Sequence, residues 1–165
     1  MAKKPKKKKR GPNKQVRMRR LLKKCSEAWS LAVRTRDGKC LVCGATENLQ
    51  AHHWLVSRAR SRKYRFDLRN GVTLCYGHHL RGIHTEASLA FLMLIMKNVT
   101  FITQEQAIEI AGTAGGEVSD PFTEEELDAT LSRLNAYTAN AAALREAARE
   151  GEALEDAAFI ERITP

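Results

Sequence analysis

Cys40-Leu41-Val42-Cys43, His52-His53 and Cys75-Tyr76-Gly77-His78-His79, with His84 a few residues on, hold all five histidines and three of the four cysteines of a 165-residue chain. Zinc in a structural site takes four Cys or His ligands tetrahedrally, and a two-residue gap lets both side chains of one tight turn converge on the ion. Cys40 and Cys43 form one such knuckle, and Cys75 with His78 forms the other. Cys25 has no knuckle partner and reads as an ordinary buried cysteine. One tetrahedron cannot absorb His52, His53, His79 and His84 as well. Neighbouring residues on a strand face opposite ways, so His52 and His53 cannot both serve one metal on a regular strand, and two roles are implied. Phosphodiester hydrolysis needs that division: a base to activate water, and a cation to stabilise charge developing on the phosphorane and leaving oxygen.

Outward from this cluster the charge is uneven. Residues 1 to 100 hold 24 Lys and Arg against 5 acidic residues, whereas residues 101 to 165 hold 4 against 14. A basic front half offers counter-charge to a polyanion, and nucleic acid is the expected partner of such a field. The acidic back half would repel that ligand, so it is expected to pack, to dimerise or to hold another protein. With 43% hydrophobic residues, one modest core plus appendages is expected. No run approaches the ~20 apolar residues that span a bilayer, so no membrane is implied. The N-terminus is too charged for a secretory signal. A reducing, cytoplasmic location is expected, or a nuclear one if the run Lys3 to Arg10 is an import signal in a eukaryote.

Residues 1–14 read as a disordered basic tail. From about Val16 to Arg34 a basic amphipathic helix leads into the cluster, with Leu21, Leu22, Ala28, Trp29 and Ala32 on its apolar side. Lys39 to Val42 and Gly44 read as a knuckle on a short hairpin, and Leu49 to Val56 as a strand carrying the histidine pair. Residues 57–65 are too charged for a core and form a loop, Asn70-Gly71 signals a turn, and a helix begins after Cys75. Leu89 to Met96 is apolar around the whole helix and reads as a buried core helix. Thr103-x-x-Gln106 and Thr123-x-x-Glu126 are capping boxes. The first opens a short helix ended by Gly112, followed by a flexible link to Asp120. The second opens a helix to about Glu150 whose stripe, Leu127, Leu131, Leu134, Tyr137, Ala141 and Leu144, packs on the core in preference to a coiled-coil partner.

Cys40-Leu-Val-Cys43-Gly44, Leu49-Gln50-Ala51-His52-His53, Tyr64-Arg65-Phe66-Asp67-Leu68-Arg69-Asn70-Gly71-Val72-Thr73-Leu74-Cys75 and His79-x4-His84 resemble the zinc-knuckle HNH endonucleases common in phage genomes. The likeness covers about residues 36 to 96. It implies an α+β fold: a ββα-metal (HNH) module with zinc knuckles over residues 15–98, including the leading helix, followed by an acidic helical region over 99–165. It makes His53 the general base and puts His52 in the place of a catalytic-metal ligand. Asn70 is the residue that braces the loop, orients the base or touches the metal, and His79 is the ligand on the helix. His84 would complete that metal site or pack beside it. Relatives usually carry Cys where His78 stands, so His78 and His79 could exchange roles.

The implied cofactors are a structural Zn2+ and a catalytic divalent metal, Mg2+, Mn2+, Ni2+ or Zn2+; imidazole ligands lean toward transition metals. Arg58, Arg60, Arg62, Lys63, Arg65 and Arg69 lie where a substrate backbone would pass and are expected to contact phosphates. The reading is a metal-dependent endonuclease that nicks or cuts DNA, with a homodimer or phage protein partner held by the acidic helices. The alternative is a non-catalytic zinc module binding DNA or RNA, or an adaptor of a phage packaging or recombination complex.

Overall fold

The computed structural model describes residues 13–82, 88–113 and 121–149. The basic run Lys3 to Arg10, His84 and most of the link before Asp120 lie outside the described residues. The protein is α+β, with helices around a two-stranded antiparallel sheet. The first helix, α1, spans Lys14–Asp37, longer at both ends than the apolar pattern indicates. The Asn13 side chain accepts from the Gln15 N–H, and Gly38, at φ 65°, closes the other end in the left-handed conformation that glycine adopts without strain.

Strand β1, Leu49–His53, pairs with β2, Gly71–Cys75, so that His52 lies opposite Val72 and His53 opposite Gly71. β1 is three residues shorter than the alternating sequence suggests, and Asn70 is the reason. Beyond Trp54 the side-chain oxygen of Asn70 takes the Leu55 and Val56 N–H groups at 3.1 and 3.0 Å, replacing a strand partner. The first knuckle is a tight turn without flanking strands; Gly44 N–H returns to the Cys40 carbonyl, and Leu41 N–H reaches Thr73 of β2. After β2 the chain enters a wide helical turn, His78–Gly82.

Helices α2 (Ser88–Asn98), α3 (Gln104–Gly112) and α4 (Glu124–Arg149) complete the described chain. Both capping boxes form, Thr103 with Gln106 and Thr123 with Glu126. The α4 stripe is used within the protein: Leu127, Leu134, Tyr137 and Ala141 are buried against Cys25, Ala28, Trp29, Ala32 and Val33 of α1. A second cluster, Cys40, Trp54, Val72, Leu74 and Ile95, underlies the knuckle. Helix α2 is not the buried core helix that its apolar run suggests. Among the α2 residues whose burial is described only Ile95 is fully buried, while Met93, Leu94 and Met96 are 65%, 45% and 52% exposed. The sheet has two strands and offers α2 one short contact face, too narrow to cover a helix that is apolar all round.

One buried ion pair fixes α1 to the sheet. Arg36 grips the Asp37 carboxylate and donates to the carbonyls of Leu68 and Gly71 at 2.8 and 2.7 Å, with its guanidinium 3.3 Å over the Phe101 ring. Asp37 in turn accepts from Thr73 N–H. Such a pair is tolerable in the interior because nearly every donor is used.

Candidate functional site

Cys40, Cys43, Cys75 and His78 converge, with their ligand atoms all within 4.8 Å of one another. Zn–S bonds of about 2.3 Å and Zn–N bonds of about 2.0 Å at tetrahedral angles separate sulfurs by ~3.8 Å, and sulfur from nitrogen by ~3.5 Å. Cys43 Sγ lies 4.0 Å from Cys75 Sγ, and His78 Nδ1 lies 3.5 and 3.4 Å from the Cys40 and Cys75 sulfurs. The cluster is therefore positioned to hold a metal ion, and its chemistry suits zinc. Burial pushes the Cys40 thiol up, but the backbone N–H groups of Cys75, Cys43 and Val42 and the His78 imidazole outweigh it and bring it down to about 6. At Cys43 the Ala45 N–H pulls downward, yet desolvation and the Cys40 and Cys75 sulfurs leave that thiol raised. The Cys40 thiolate is thus favoured at neutral pH, whereas Cys43 would lose its proton on binding an ion.

The adjacent histidines of the helical turn separate. The rotation between successive residues of the wide turn sends His78 to the cysteines and His79 to β1, where His79 Nε2 stands 3.1 Å from His52 Nδ1. The other His79 nitrogen, Nδ1, donates to the Gln50 side-chain oxygen. Gln50 and His52 share one face of β1 because they are two residues apart. Two imidazole nitrogens bound to one ion at about 2.0–2.1 Å sit roughly 3 to 3.4 Å apart, and a carbonyl behind the ring is the usual orienting partner. The His52–His79 pair fits two positions of a coordination sphere. A third imidazole, His84, lies outside the described residues.

His53 points the other way, toward α1, as alternation along a strand requires. Its ring stacks on Trp29, with centroids 3.9 Å apart and planes 13° from parallel. Nε2–H donates to the Arg65 carbonyl at 2.8 Å, which leaves Nδ1 as the lone-pair nitrogen of the neutral ring. Burial is the largest influence on this imidazole and lowers its pKa below the ordinary value; the Arg65 carbonyl works against it, while the charges of Arg58 and Arg65 add to the lowering. The neutral, proton-accepting form is favoured.

Asn70 is fully buried and uses its whole amide: besides its two acceptor bonds, Nδ2 donates to Val56 O at 2.8 Å and Tyr64 O at 3.1 Å. It ties the two ends of the loop between His53 and β2. Of the six basic residues expected to meet phosphate, Arg58 and Arg60 are exposed. Arg62 pairs with Glu126 and lies over Phe122, Lys63 pairs with Glu109, and Arg69 grips Asp67. Arg65 is half-buried over Phe66. Sequence reasoning missed Gln50 and the contact of Trp29 with His53. Gln50 had a signal in its even spacing from His52; the indole contact had none, since it joins segments more than twenty residues apart.

Comparison with protein-family models, with curated proteins and with solved structures finds no match. Among the described residues no helix is long and apolar enough to cross a membrane.

Proposed function

We propose that the protein is a metal-dependent endonuclease of the HNH type that hydrolyses DNA phosphodiester bonds, with residues 49–82 forming a ββα-metal module beside a structural zinc. The observation that carries this reading is the division of one histidine pair. His52 turns to His79, with nitrogens 3.1 Å apart, while its neighbour His53 presents Nδ1 from a ring held at Nε2 by the Arg65 carbonyl. A structural zinc module needs neither arrangement.

A divalent cation at His52 and His79 would supply the positive charge that stabilises the phosphorane and the leaving oxygen. The chain supplies the rest. His53 Nδ1 takes a proton from the attacking water as general base. Gln50 holds the His79 ring so that Nε2 faces His52, and Asn70 fixes the loop whose Arg65 carbonyl keeps the His53 tautomer. Arg58 and Arg60, exposed on that loop, would meet backbone phosphates, positioning the strand without reading its bases.

The test is conversion of supercoiled plasmid by wild type and His53→Ala, after chelation and re-addition of magnesium, manganese, nickel or zinc. Metal-restored nicking by wild type alone, with a loss of about a hundredfold or more in the variant, is expected. The variant should retain its zinc and its DNA affinity. Binding without cleavage by either protein, on plain and branched duplexes alike, would leave a DNA-binding zinc module in its place.

A further inference from the structure

The role assigned here to Trp29 rests on His53 being the base. A ring held by a single hydrogen bond is fixed at one point and can still swing about that bond. Nε2–H to the Arg65 carbonyl therefore does not by itself aim Nδ1. A second constraint comes from outside the histidine-bearing strand. The Trp29 indole, 4% exposed on α1, lies parallel to the imidazole at 3.9 Å, and its Nε1–H is anchored on the Asp67 carbonyl at 3.0 Å. Asp67 is itself held, its carboxylate accepting from the backbone and guanidinium of Arg69.

The sheet leaves room for this plate. Gly71 stands directly across from His53 in the ladder, and a Cβ there would come within 2.4 Å of Val33 Cγ2 and 2.7 Å of Trp29 Cζ2. Its φ of −112° is open to any residue, so the missing side chain serves close approach and not backbone freedom. We infer that Trp29 is a positioning residue for the base: the Arg65 carbonyl sets the tautomer, the indole sets the plane, and together they direct Nδ1 to the reacting water.

A tryptophan that merely fills the core would be replaced equally well by Leu and by Phe, whereas a plate tolerates only the aromatic. The full zinc-loaded chain is compared as wild type, Trp29→Phe, Trp29→Leu and Gly71→Ala. Nitrogen-15 and proton spectra of the imidazoles provide a readout independent of cleavage. In the wild type, His53 should be the Nε2–H tautomer with ring protons displaced upfield by the indole. The displacement should persist in part in Trp29→Phe and vanish in Trp29→Leu, while the Nε2–H tautomer, set by the Arg65 carbonyl, should persist in both. In cleavage assays Trp29→Leu should lose about tenfold to a hundredfold in kcat with KM within about twofold, the scale of a small misplacement of a reacting group. Trp29→Phe should stay within about threefold of wild type, and Gly71→Ala, which presses on the indole from the sheet, should resemble Trp29→Leu.

A wild-type spectrum with His53 ring protons at solvent-exposed positions overturns the assignment before any variant is made. Equal kcat for the Leu and Phe variants of a cleaving enzyme overturns it while leaving the nuclease reading intact. Wild type that shows the displaced protons yet cleaves nothing with any of the four metals removes the nuclease reading, and reduces the stacked pair to a structural contact.

Discussion

Asn70 and Tyr137 show how single side chains set the stability of the site and of the core. All four hydrogen bonds of the Asn70 amide end on backbone groups of the loop from Leu55 to Tyr64. Asn70→Asp keeps the shape and turns two donors into acceptors facing the Val56 and Tyr64 carbonyls. Unfolding in urea should show a loss of about 3 kcal/mol or more, the scale of two buried acceptors left unsatisfied beside a charge; a midpoint equal to wild type would refute the brace. Tyr137 is buried between α1 and α4, and burial pushes its phenol up to about 12, with the Arg36 and Arg145 charges lowering and Asp37 raising it. The folded pKa lies above the unfolded value of 10.0, so the fold favours the protonated phenol. That contribution is complete below pH 10 and is lost as pH climbs toward the folded value, an amount of roughly 2 to 3 kcal/mol. Alkaline melting curves should therefore fall more steeply for wild type than for Tyr137→Phe; parallel curves would show the phenol ionising without cost.

At the scale of elements, α4 does for α1 what the two-stranded sheet cannot. The sheet covers the Trp29 and Val33 side of α1, and the α4 stripe covers Cys25 and Ala28, with Cys25 Sγ–H reaching the Leu127 carbonyl at 3.2 Å. Leu134→Ala should cost about 2 to 5 kcal/mol, measured by denaturant unfolding, because rigid neighbours on two helices cannot close the cavity. A cost under about 0.5 kcal/mol would mean that α4 is detached in solution. The element patterns were legible wherever local chemistry decides: α1, both capping boxes, the loop of 57–65 and the separation of His52 from His53. Strand β1 ended early and α2 came out half-exposed because a distant amide and a narrow sheet, respectively, made those decisions.

For the whole molecule, the opposed charges of the two halves meet at the surface of the fold. Arg17 pairs with Glu124, Arg62 with Glu126 and Lys63 with Glu109. The acidic helices thus clamp the basic loop, and Glu109 also accepts from the Tyr64 hydroxyl beside it. On the nuclease reading, Glu109→Gln with Glu126→Gln frees two cations. DNA should bind more tightly at low salt, and the slope of log K against log salt should steepen by up to about 0.9 per freed cation. An unchanged slope would show that the loop does not face the polyanion. A metal ion held by the Cys3His cluster would act at the same scale, because the cluster joins the first knuckle, the end of β2 and the turn that carries His79. Removing zinc by chelation should lower the melting temperature and disturb the His52–His79 pair, and Cys43→Ser should lower zinc content in parallel. A melt indifferent to chelation would exclude a metal from the cluster.

The ligand spacings, the alternation that parts His52 from His53, the capping boxes and the charge asymmetry follow from the sequence alone, since each rests on geometry within a few residues. The order within His78-His79 does not: spacing permits either as the fourth ligand, and only the turn's docking on both the cysteines and β1 sends His78 to one and His79 to the other. The tautomer of His53, the plate beneath it and the pairing of Arg62 and Lys63 with the Glu126 and Glu109 carboxylates were also tertiary outcomes. A hydrogen-bond acceptor or a carboxylate that arrives from a distant element, as the Glu109 and Glu126 carboxylates do, leaves no periodic mark on the segment it meets.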